Sequence, residues 1–124
     1  MRQPWDVETT DEAVYRVIES VPEGSATPSG AVAALLGLST PRRPAAAMRR
    51  APDDVPWWRI IRSDGTLPPG LLGRATAHWV QERTPHTEKG ASKAAFWSPD
   101  GAEWAALRVR LDALSSPADV GPSE

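Results

Sequence analysis

The chain contains no cysteine. That absence excludes disulfides, thiolate catalysis and cysteine-ligated metals together. Histidine is nearly as scarce. His78 and His86 are the only two imidazoles, and their spacing is not that of a zinc-binding pair. No Ser/His/Asp grouping or paired carboxylates occur at motif spacing, so no catalytic residue, metal or cofactor is expected. No apolar run approaches the length of a membrane span and no signal peptide is evident, which places the expected location in the cytoplasm.

A length of 124 residues suits a single domain, expected over residues 1–114, with a disordered tail over 115–124. A monomer is expected. The net charge of −2 argues weakly against nucleic-acid binding, but its distribution matters more than its sum. From Ser39 to Arg62 there are six arginines (Arg42, Arg43, Arg49, Arg50, Arg59 and Arg62) against two acids, Asp53 and Asp54, a local charge of +4. Such a cluster is commonly a solvated face. Ending in aromatic residues, as this one does, it fits a DNA-binding face better.

Periodicity predicts a mainly helical chain. Thr10 reads as an N-cap, with a helix over 11–20 that turns Val14, Tyr15, Val17 and Ile18 inward. Pro22-Glu23-Gly24 breaks it. A second helix begins near Pro28 or Ser29, carries Val32, Leu35 and Leu36, and stops at Gly37 as its C′ residue. Pro41 suits the first position of a third helix running to about Arg50. Two short helices joined by a glycine-containing turn, the second bearing arginines, make a helix-turn-helix. Further on, Arg59-Ile60-Ile61 reads as extended, Ser63-Asp64-Gly65 as a tight turn, and 71–83 as a helix with Leu72, Ala75, Trp79 and Val80 inward. Residues 84–93 read as an exposed loop, Ala94 to Trp97 as a short strand, and Glu103–Leu114 as a last helix with Trp104, Leu107 and Leu111 on one side. His78 and His86 read as surface residues, and Trp79 and Trp104 as core. The fold class expected is a winged-helix-like helix-turn-helix domain with a short β element and a C-terminal helix.

The stretch Val55-Pro56-Trp57-Trp58-Arg59-Ile60-Ile61 stands apart. Indoles are costly to leave exposed, and an arginine beside them can stack on an aromatic face or hold a phosphate. This segment resembles the active-site loop of the O6-alkylguanine-DNA alkyltransferase family, whose motif is Pro-Cys-His-Arg with the cysteine as alkyl acceptor. Trp57 stands at the cysteine position and Trp58 at the histidine position. Two further pieces resemble the family in order and spacing. Pro22-Glu23-Gly24 followed by Gly30-Ala31-Val32-Ala33 resembles the approach to its helix-turn-helix. Gly37-Leu38-Ser39-Thr40-Pro41-Arg42 with Met48-Arg49 resembles its turn and recognition helix. The resemblance covers about residues 11–83 and points to an alkyltransferase-like, non-enzymatic relative.

What the resemblance implies can be assigned position by position. The recognition helix enters the minor groove of double-stranded DNA through small residues, and an arginine fills the base stack as an O6-alkylated guanine rotates out. Arg42 takes the place of that arginine, with Arg43 as the alternative. Ser29, Thr40, Ala45, Ala46 and Arg49 complete the implied DNA contacts, and the small face extends to Ala47. Val55, Pro56, Trp57, Trp58, Arg59, Ser63, Asp64 and Gly65 form the implied base pocket, in which Arg59 holds the loop and the 63–65 turn offers backbone amides. Nucleotide-excision repair proteins are implied partners to which the lesion is flagged. Four positions depart from the pattern: Pro44 stands early in the recognition helix, Ala46 where a glycine is often seen, Ser29 where the family has a tyrosine, and Trp58 where it has a histidine. They keep two alternatives open, a helix-turn-helix module without lesion recognition and a degenerate domain that binds a protein partner. Glu82 is given no role.

Overall fold

The computed structural model describes residues 6–120, and side chains as far as Leu114. Helix α1 spans Val7–Ser20 and is capped by Asp6, whose carboxylate accepts the Thr9 amide at 2.8 Å. The cap therefore lies four residues before Thr10, which is buried and donates its hydroxyl to the Asp6 carbonyl. Asp6 wins because its carboxylate also meets the partial positive charge of the helix start. Ala13, Val14, Val17 and Ile18 recur at helical spacing and are fully buried.

Thr27–Pro28 forms strand β1, and α2 follows at once over Ser29–Leu36. Gly37, at φ 70°, ends α2 in the left-handed region that glycine enters without steric cost. The Leu38 and Gly37 amides return to the Ala33 and Ala34 carbonyls at 2.9 and 3.3 Å, a Schellman closure that turns the chain towards α3. Helix α3 spans Arg42–Arg49, one residue later than its proline suggests, because Pro41 itself occupies the cap with helical dihedrals. Pro44 sits in the first turn, where no intrahelical amide is lost.

Strand β2, Ile60–Ile61, pairs in parallel with β1, Thr27 opposite Ile60. Alternation then separates the two isoleucines. Ile60 joins the larger core with Val14, Ile18, Val32, Leu36, Ala47, Leu107 and Leu111, and Ile61 joins a second core with Ala26, Leu67, Ala75, Trp79 and Ala91. Burying each isoleucine contributes about 1.5–3 kcal/mol. The pair also fixes the start of α2 to the chain leaving the tryptophan segment.

Helix α4 spans Pro69–Glu82 and ends on Arg83, in the left-handed region at φ 63°. Trp79 is fully buried in it, but Val80 is exposed rather than inward, since its angle on the helix carries it past the second core. The stretch read as a loop contains a hairpin, β3 (His86–Thr87) antiparallel to β4 (Gly90–Ala91). The expected strand at Ala94–Trp97 is instead a 3₁₀ turn over Lys93–Ala95, followed by a single bridge from Phe96 to Ala26. Such short pieces carry no usable periodicity. Helix α5 spans Gly101–Val120 and packs on α1 through Leu107 and Leu111, with Trp104 half-buried at its edge. It continues past Leu114, where the sequence reading places a disordered tail, and residues 121–124 of that tail lie outside the described residues. No helix among the described residues is long and apolar enough to cross a membrane.

Candidate nucleic-acid interface

An open cleft of about 950 Å³ lies between α3, the tryptophan segment and α4. Its walls are Ser29 at the start of α2; Ala45, Met48 and Arg49 on α3; Pro52 and Asp53; Trp57, Trp58, Ile60, Ile61 and Arg62; and Leu67, Pro68, Leu71, Arg74 and His78. The cleft is thus an apolar trough rimmed by three arginines, with Asp53 as the one acid in its lining. Such a surface suits a flat, partly apolar ligand attached to phosphates.

Four aromatic and cationic side chains shape its floor. Trp57 and Trp58 follow a backbone held tight by the Val55 carbonyl, which accepts the Trp57 amide at 2.7 Å, and by a 3₁₀ turn over Trp57–Arg59. Their rings meet edge to face at 5.8 Å and 84°. His78 lies parallel to Trp58, with ring centres 3.6 Å apart and planes 4° apart, and edge-on to Trp57 at 5.9 Å. The Arg74 guanidinium sits over the Trp57 ring at 5.6 Å.

Arg59 points the other way. Its guanidinium donates to both Glu82 carboxylate oxygens, at 3.1 and 2.5 Å, and to the Val21 carbonyl at 3.0 Å. Both side chains are largely buried, at 12% and 9% exposure, so the pair is fully engaged beneath the tryptophans. It ties the end of α1 and the tryptophan segment to the end of α4. Burial pushes the Glu82 pKa up, but the hydrogen bonds and charge of Arg59, with the nearby Trp58 indole N–H, outweigh it and hold the carboxyl below its ordinary 4.5. The Trp58 Nε1 has no hydrogen-bond partner among the described residues, so its effect on Glu82 is that of a nearby dipole. A depressed carboxylate pKa gives stability that is present above the unfolded value and lost as pH falls through the folded one. The stability advantage of the wild type over Glu82→Gln is therefore expected to hold from pH 7 to about 4.5 and to shrink below it. Denaturation midpoints at stepped pH check this.

The residues implied for the base pocket are only partly brought together. Trp57 and Trp58 line the cleft; Val55, Pro56, Arg59, Ser63, Asp64 and Gly65 do not. Val55 is buried in the larger core. Gly65, at φ 88°, is locked against the hairpin: its carbonyl accepts the Ala91 amide at 2.9 Å, and a Cβ there would come within 2.2 Å of the Ala91 oxygen. Its own amide is taken by the Arg62 carbonyl, and the Thr66 amide by the Asp64 carboxylate, so these two do not face the cleft as free donors. The turn is tied to the β3–β4 hairpin. Among the implied DNA contacts, Ser29, Ala45 and Arg49 line the cleft, while Thr40, Arg42, Arg43 and Ala46 lie outside its lining. The Arg42 amide is held by the Thr40 hydroxyl at 3.2 Å. Ala47 is fully buried against α1, its carbonyl accepting the Tyr15 hydroxyl at 2.8 Å, so it belongs to the core and not to the small outer face.

Of the six clustered arginines, Arg50 is paired with Asp11 and Arg59 with Glu82. Arg42, Arg43 and Arg49 make no ion pair among the described residues, and Arg62 has only a weak interaction with Asp64. The sequence reading missed Arg74, His78 and Glu82. A signal existed: once Ala75 and Trp79 face inward, positions 74, 78 and 82 fall on the adjoining strip of the same helix face. His78 is accordingly not a plain surface residue. Among the described residues no group of three His, Asp or Glu could hold a metal.

A helix-turn-helix carrying unpaired arginines beside an aromatic cleft, in a chain without any cysteine, defines a DNA-binding domain that cannot transfer an alkyl group to a thiolate. Residues 9–88 match the model of the 6-O-methylguanine DNA methyltransferase DNA-binding domain, and the chain belongs to that family. It is similar to the crystal structure of Schizosaccharomyces pombe (S. pombe) Atl1 in complex with damaged DNA containing O6-carboxymethylguanine. That match has 25% identity over 80% of this chain and 100% of the other, with a TM-score of 0.66. A second structure, S. pombe ATL in complex with DNA, matches at 26% identity over the same shares with a TM-score of 0.64. No curated protein matches the chain significantly in sequence.

Proposed function

We propose that this protein is a non-enzymatic sensor of O6-alkylguanine in duplex DNA. Residues 1–114 act as one monomeric domain that lays the outer face of α3 in the minor groove. The damaged nucleotide rotates past Arg42 into the cleft, against Trp57. Because no thiolate is present to remove the alkyl group, the complex persists and marks the lesion for nucleotide-excision repair factors. The observation that carries the reading is the placement of the Trp57-walled cleft directly beside α3, with Ala45, Met48 and Arg49 shared between the two. The similarity to S. pombe Atl1 bound to O6-carboxymethylguanine DNA supports it.

The test is a pair of binding isotherms, on an O6-methylguanine duplex and on its undamaged counterpart, at fixed salt. Preference for the damaged duplex supports the sensor; equal affinity with a steep salt dependence reduces the protein to a plain DNA-binding module. Trp57→Ala is expected to lower lesion preference about tenfold, as the loss of one base–aromatic stack implies. Its stability cost should be modest, since Trp57 is only half-buried. A stability loss of about 3–5 kcal/mol with unchanged preference would make Trp57 a core residue instead.

A further inference from the structure

The Trp58–His78 stack has the geometry of two neighbouring bases. Its 3.6 Å separation and 4° tilt lie close to the roughly 3.4 Å spacing of stacked bases. The Arg59 guanidinium also lies over the Trp58 ring, at 5.8 Å, so this indole is already engaged by two planar groups. Trp57 meets both Trp58 and His78 edge-on, and the group over its ring face is Arg74, an exposed side chain able to swing away. His78 is held from α4 one turn beyond Arg74 and lines the same cleft.

We infer that His78 determines the specificity of the cleft by filling the stacking place on Trp58, so that an extruded base has Trp57 as its aromatic stacking wall. This rests on the lesion-sensing reading above. The imidazole then limits how far an O6 substituent reaches across the floor: a methyl group clears it, whereas a planar substituent competes with it for the Trp58 face. Removing the ring opens a second stacking place, and the gain goes to adducts large enough to use it.

The experiment compares the wild type with His78→Ala, His78→Gln and His78→Phe on three duplexes, undamaged, O6-methylguanine and O6-benzylguanine, with thermal melts on each variant. His78→Ala should raise the benzyl-to-methyl affinity ratio about tenfold, as expected for one added aromatic stack. His78→Gln, which fills space without a ring, should move the ratio in the same direction, and His78→Phe should keep the wild-type ratio. An unchanged ratio in both His78→Ala and His78→Gln overturns the inference, as does an equal change on all three duplexes. If the wild type shows no lesion preference, the sensor reading fails by itself. A preference for the benzyl duplex gained by His78→Ala would then still support the blocking role of His78, and no gain would overturn it.

Discussion

Arg59→Ala is expected to destabilise the fold by about 3–5 kcal/mol, the range for removing one partner of a buried ion pair. Three things fail together. The Glu82 carboxylate, 9% exposed, keeps its charge without its counter-ion; the Val21 carbonyl loses its donor at 3.0 Å; and the ends of α1 and α4 lose the group that joins them to the tryptophan segment. The bidentate contact needs a planar fork, so Arg59→Lys should recover only part of the loss. The double variant Arg59→Ala/Glu82→Ala should cost less than the sum of the single ones, because no charge is then stranded. Urea or guanidinium unfolding of the four proteins reads all of this. A loss under about 1 kcal/mol for Arg59→Ala would mean that water reaches the pair and that its apparent burial has little energetic weight. At temperatures where Arg59→Ala stays folded, its lesion preference should survive, since Arg59 faces away from the cleft.

On the role proposed for Arg42, Arg42→Ala should have the largest effect on binding: a fall in lesion preference on the order of a hundredfold, because that role fills the emptied stack, where unstacking costs a few kcal/mol. Arg42 is exposed, at the start of α3, and engaged by no ion pair among the described residues, so it is available to enter a groove. The loss on undamaged duplex should be small and shrink with salt, as for a single phosphate contact. Arg42→Lys keeps the charge but not the flat guanidinium and should lose most of the preference. Arg43→Ala serves as the comparison: Arg43 is the half-buried neighbour, and its removal should weaken both duplexes alike. If Arg43→Ala abolishes the preference and Arg42→Ala does not, the turn places Arg43 in the stack.

The sequence alone determined the parts that rest on local rules. The missing cysteine excluded transfer of an alkyl group to a cysteine thiolate. The helical spacing of Val14, Val17 and Ile18, the Gly37 stop and the proline before Arg42 set out the helix-turn-helix, because periodicity and chain termination are properties of neighbouring residues. What only the tertiary structure decided is which side chains meet across the cleft. Arg59 and Glu82 are 23 residues apart, and Trp58 and His78 are 20 apart. Their pairing depends on how α4 folds back over the tryptophan segment, which no local pattern records. The same holds for Gly65, whose role is fixed by its contact with Ala91 in the hairpin, 26 residues further on, rather than by the turn in which it sits. It holds too for the two isoleucines of β2, which look alike in sequence and serve different cores because the parallel pairing with β1 sets which one faces which. Two-residue strands gain their stability from long-range contacts, and those contacts exist only once the chain has closed.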